Sequence, residues 1–105
     1  MLQRNLCLTL FTVAFSTASY SEEVTGFTEI CNIYTEAKNS NMANNQLNDY
    51  IENNIEKRVR SVDALNTHDA VFQVKLNERY SIFKQSAEFS LKQPWSCEAM
   101  QHFMK

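Results

Sequence analysis

Gly26 and Pro94 are the only glycine and the only proline in a chain of 105 residues. A β-rich fold needs turn residues at frequent intervals, about every ten positions. With so few, the chain is restricted to helices joined by polar breaks, and the apolar spacing agrees. A first helix is expected over Glu23 to Lys38, with Val24, Phe27, Ile30, Cys31, Tyr34 and Ala37 on one stripe. After the polar break NSNMAN (39–44), a second runs from Ala43 to Arg60 with Leu47, Tyr50, Ile51 and Ile55 inward. Ser61 is the expected cap of a third helix, Val62 to Val74, facing inward with Leu65, Val71 and Phe72. Asn77 is the expected cap of a fourth, Glu78 to Lys92, and Gln93-Pro94 stops it, because the residue before a proline is pushed out of helical geometry. A short fifth carries Cys97, Met100 and Met104. The expected fold is all-α: a compact bundle of four or five short helices.

The N-terminus has a different composition. MLQR precedes the ten-residue apolar run LCLTLFTVAF and the small residues STASYS, the layout of a secretory signal peptide. The run is too short for a spanning helix, which needs about 20 residues. Residues 1–21 are therefore expected to be a cleaved signal, with cleavage after Ala18 or after Ser21, leaving one domain over 22–105. Its destination is the periplasm or the exterior.

Cleavage removes Cys7 and leaves Cys31 and Cys97, 66 positions apart. Two cysteines in an exported chain read as one disulfide. It would tie the last helix back to the first. Cleavage also removes Arg4, so nine of the ten Lys/Arg face twelve Asp/Glu, a mature net charge of −3. Nucleic-acid binding demands a basic surface. The run KRVR (57–60) is no exception, because it falls at an expected helix C-terminus, where cations complement the dipole.

Catalytic and metal-binding motifs are missing. Nothing in the chain has CxxC, HxxxH, HExxH or GxSxG spacing, and His68 and His102 are far apart. His68 and Asp69 are adjacent, so their side chains diverge on a helix and form no dyad. Glu52 and Glu56 share a face, but among Asn53, Asn54 and Lys57 they read as solvated, with Glu56 set to pair with Arg60. No enzyme activity, cofactor or metal is expected.

Three features point to binding. Leu76, Tyr80, Phe83, Ala87 and Leu91 form one apolar stripe of the fourth helix, while Ile82 and Phe89 lie on the opposite side. A helix apolar on two faces is central in its bundle or offers one face to a partner. Central burial is the default; otherwise Ile82 and Phe89 are the anchor pair. Trp95, beside Cys97, packs over the bridge or protrudes as an interface anchor. His68 falls inside the apolar stripe of the third helix, as a core histidine with one hydrogen bond or as a pH sensor.

In size, export, helicity and the single long-range bridge the chain resembles two families of small helical periplasmic proteins. These are the immunity proteins that neutralise peptidoglycan-cleaving toxins and the acid-activated chaperones. The resemblance carries no residue assignments. It implies a non-enzymatic protein acting by protein–protein binding, as an inhibitor or immunity-type protein, with an acid-activated chaperone or a carrier of small apolar ligands as alternatives. The expected ligand is a protein partner, self-association into a homodimer included. Nucleic acid and stable membrane insertion after cleavage are not expected.

Overall fold

A computed structural model describes residues 26–105 of the chain. The expected signal at 1–21, its cleavage points and the start of the first helix at Glu23 lie outside the described residues. Among the described residues there are five helices and no strand. These are α1 (residues 26–38), α2 (Asn44–Arg58), α3 (Val62–Val71), α4 (Leu76–Leu91) and α5 (Glu98–Phe103). None is long and apolar enough to cross a membrane.

The central helix is α1. Phe27, Ile30, Ile33, Tyr34 and Ala37 are all buried on it, an arc wider than the roughly 100° stripe of a surface helix. It touches each of the others. Phe27 meets Phe83 of α4 edge-on at 5.6 Å, and Tyr34 meets His68 of α3 at 5.7 Å and Phe103 of α5 at 5.8 Å. Helix α2 adds Ile51 and Ile55 to the same core and is also tied to α1 by ions. Arg58 donates from Nη1 and Nη2 to the two oxygens of Glu36, at 2.7 and 2.9 Å, and also bonds Glu29. Tyr50 of α2 donates to the same Glu36 at 2.7 Å. Hydrogen bonds from Arg58, then from Tyr50, hold the Glu36 carboxyl down to about 2. Sequence spacing assigned Arg58 to the helix dipole; it is an interhelical clamp as well.

The bridge forms as expected. Cys31 and Cys97 are joined with an S–S distance of 2.07 Å and Cα atoms 5.8 Å apart. It fastens α1 to the N-cap of α5, where the Cys97 N–H donates to Tyr80 Oη at 3.0 Å.

Several helix ends differ from the sequence expectation. The second helix stops at Arg58, because Val59 turns to extended geometry and buries its side chain (φ −94°, ψ 127°). Arg60 thus lies beyond the helix and the expected Glu56–Arg60 pair does not form among the described residues. Ser61 caps α3 as expected, its Oγ accepting from the Ala64 N–H at 3.2 Å. That helix ends at Val71, three residues early. The fourth starts at Leu76, with Lys75 and not Asn77 as its N-cap. On its surface Lys84 donates to Glu88, four positions on, at 2.8 Å.

Gly26 is needed for a close approach. A Cβ there would lie 2.3 Å from Ser61 Cβ and 3.2 Å from Ala64 Cβ. Both are buried, and Ser61 is committed to its cap. Gly26→Ala should therefore force α1 and α3 apart. Overpacking costs roughly 1–3 kcal/mol, offset by about 1 kcal/mol of helix propensity. An approach of 2.3 Å places the cost in the upper part of that range, about 2–3 kcal/mol, so the expected net loss is about 1–2 kcal/mol, a fall in Tm of roughly 5–15 °C. An unchanged thermal melt would contradict the close packing at this point.

Candidate functional site

Two regions concentrate the sequence-predicted residues: the surroundings of His68, and the outer face of α4.

His68 is 5% exposed and sits in an aromatic cage. The rings of Phe72, Tyr34 and Phe83 stand 5.0, 5.7 and 6.3 Å from it, each edge-on. Its Nε2 lies 2.6 Å from Tyr34 Oη. A buried hydroxyl needs an acceptor, and among the described residues the Tyr34 O–H has no other acceptor than Nε2. Tyr34 therefore donates, Nε2 accepts, and the ring proton of the neutral imidazole is on Nδ1. Burial, against a weaker opposing pull from the Asp69 carboxylate, lowers the His68 pKa to about 4. Burial raises that of Tyr34. At neutral pH both side chains are uncharged.

Two cavities flank this cage. The larger, about 510 Å³, lies between α2 and α3 with Ile55, Leu65 and Phe72 as its apolar walls and Glu52, Glu56 and Asp69 as its charged ones. The smaller, about 310 Å³, is bordered by Tyr34, Leu76, Arg79 and Phe103. Glu52, His68 and Phe72 line both. Phe72 and Leu76, expected inward from their spacing, are 46% and 47% exposed. They sit at the corner where α3 gives way to α4. The Arg79 guanidinium covers the Phe72 ring, 4.9 Å from its centroid, while its Nε donates to Val74 O.

On α4, Phe83, Ala87 and Leu91 are buried, while Ile82 is 37% and Phe89 83% exposed. Centrality belongs to α1 and not to α4, so the default expectation of central burial for Ile82 and Phe89 is overturned. They lie seven positions apart on one side, roughly opposite the core stripe. Trp95, the third anchor candidate, is half-buried and does not join them. Its ring tilts against Phe83 at 5.4 Å, and its backbone N–H donates to Glu88 Oε2 at 3.1 Å. It packs against the core beneath α4. Tyr80 also reaches the bridge, through its hydroxyl on the Cys97 N–H.

Sequence reasoning placed His68 inside the bundle but missed Tyr34 as its partner. A signal was available, since a tyrosine in the middle of an apolar stripe must find a polar partner when buried. Among the described residues no three His, Cys, Asp or Glu side chains converge closely enough to hold a metal ion. No protein-family model matches this chain, and neither a curated protein nor a solved structure shows detectable similarity to it.

Proposed function

We propose that the chain is an exported, non-enzymatic protein, delivered to the periplasm or beyond the cell, that acts by binding another protein, as inhibitor and immunity-type proteins do. The observation carrying this is the outer face of α4. Phe89 is 83% exposed with Ile82 beside it on the helix, and exposed aromatic and branched anchors are the residue types on which interfaces depend. The same helix meets its packing needs on the other side, through Phe83, Ala87 and Leu91, so nothing in the fold requires this apolar pair. The bridge between Cys31 and Cys97 is compatible with an oxidising compartment.

The test is the double substitution Ile82→Ser/Phe89→Ser. Its thermal melt should match that of the parent within a few degrees. Retention of a cognate partner on the immobilised protein, or its own dimerisation by light scattering, should fall at least tenfold, a loss typical of two anchor residues. Unfolding of the variant would return these residues to the core. A stable variant with unchanged binding and association would move the interface elsewhere.

A second reading rests on His68. A neutral imidazole caged among aromatic rings opposes acid, so the bundle should loosen as pH falls. That is the behaviour of an acid-activated chaperone, which binds clients through apolar surface exposed on loosening.

A further inference from the structure

We propose that the outer face of α4 pairs with the same face of a second copy of this chain, antiparallel, about a two-fold axis beside Gln85. This deepens the α4 interface proposed above and rests on it, naming the occupant and its register.

Glu78, Ile82, Gln85, Phe89 and Lys92 follow one another at alternating steps of four and three, and every one of them is exposed. At about 100° per residue the five fall within an arc of about 80°, centred opposite Phe83, Ala87 and Leu91. Lys92 is the C-cap, and its N–H still bonds Glu88 O at 2.8 Å, so its Cα remains on the helix. The five make an exposed seam with the spacing along which two helices pack.

The order of residue types on this seam is self-complementary: acid, apolar, amide, apolar, base. Turned end for end with Gln85 opposite Gln85, it sets Ile82 against Phe89 of the second copy and Glu78 against its Lys92, each contact occurring twice. A glutamine amide both donates and accepts, so the two on the axis satisfy each other. Parallel pairing would instead stack Glu78 on Glu78 and Lys92 on Lys92, which like charge opposes. Being an exposed acid without an ion pair does not single out Glu78, because Asp49 and Asp63 share that condition among the described residues. Its place does: the counter-charge stands at the far end of one seam, with the apolar pair between. Ser81 and Ser86 beside the seam are small and uncharged, which lets two helix axes approach to about 8–10 Å. Such a pairing is isologous, the commonest form of self-association. One helix face is small beside the ~800 Å² per partner of a standard interface, so the dimer should exchange with monomer.

Sedimentation velocity of the purified, bridged chain, from micromolar to millimolar concentration in low salt, should show a monomer–dimer equilibrium that Ile82→Ser/Phe89→Ser abolishes. Glu78→Lys and Lys92→Glu each set like charges at both ends of the seam. Each should raise the dissociation constant roughly tenfold, as expected when two exposed contacts change sign. The exchange Glu78→Lys/Lys92→Glu restores opposite charges and should return the parent's affinity. An equimolar mixture of the two single variants should also pair like the parent. Both substitutions oppose the helix dipole, so a merely structural effect would be largest in the double variant, where recovery is expected. Single variants that dimerise like the parent, or a double variant no better than the singles, would overturn the register. A parent that stays monomeric throughout would overturn self-pairing and leave Ile82 and Phe89 to a different protein, read by retention of that partner. A dimer that survives Ile82→Ser/Phe89→Ser would overturn this pairing and place the dimer contact on another face. Failure here and failure of the α4 interface are thus distinguishable.

Discussion

Opening the Cys31–Cys97 bridge is expected to remove about 4 kcal/mol of stability, from chain entropy alone. The two residues are separated by 66 positions, so the bond closes most of the described chain into one loop. A domain of this length holds net stability of only about 4–12 kcal/mol. The part most dependent on the bond is α5, with six residues, far too short to persist alone. Met100 and Met104 reach the core only while that helix is fastened to α1. Urea titrations of the oxidised protein and of Cys31→Ser/Cys97→Ser will read the difference. With a slope near 1 kcal/mol per molar for so small a protein, the midpoint should fall by roughly 3 M or more. A double variant with the parent's midpoint would mean that packing of α1 alone supports the bundle.

Between about pH 6.5 and pH 4 the folded chain should lose about 3 kcal/mol through His68. The folded-state pKa, about 4, lies below the ordinary value of 6.5, so the folded state binds this proton more weakly than the unfolded chain. The stabilisation is fully present above pH 6.5. It declines as pH falls toward 4 and is gone below that, at 1.36 kcal/mol per pH unit of separation. The charged and titratable groups facing the cage are Tyr34 from α1, Glu52 and Glu56 from α2, Asp69 on α3 itself and Arg79 from α4, while α5 contributes Phe103 and Met104. Carboxylates act in a separate window. Glu36, held to about 2, contributes stability lost as pH falls from about 4.5 toward 2. His68→Gln, which retains an acceptor for Tyr34, should flatten the upper window and leave the lower one. Urea midpoints measured every half unit from pH 7 to pH 3 would show it. A variant that falls as steeply as the parent between pH 6.5 and 4 would end the acid-sensing reading. If that reading holds, a hydrophobic dye should light up in the parent near pH 4 and at lower pH in the variant.

The helices themselves were legible because their causes are local. Ser61 caps α3 by a bond to a residue three positions on, and Pro94 forbids continuation whatever lies around it. The bridge was legible by elimination, two cysteines admitting one intramolecular pairing. His68 was recognised as interior from the stripe it shares with Ala64 and Val71. Helix ends were read less well where burial governed them. Val59 leaves α2 because its side chain is drawn into the core, a pull that spacing along one helix cannot express. Phe72 and Leu76 fall on apolar stripes and are half-exposed, because they stand at the turn between α3 and α4, where periodicity along one helix no longer specifies burial.

The sequence by itself determined that this protein is helical, bridged and acidic, because turn residues, cysteine count and charge are properties of composition and short spacing. Only the tertiary structure decided that α1, not α4, is central, leaving Ile82 and Phe89 outside, and that Arg58 clamps two carboxylates of α1. It also brought Tyr34 to His68 from 34 positions away and gathered Glu52, Glu56 and Asp69 around one cavity. The physical reason is that periodicity specifies which side of a helix is apolar, while the choice of neighbour for that side depends on how all five helices close around a single core.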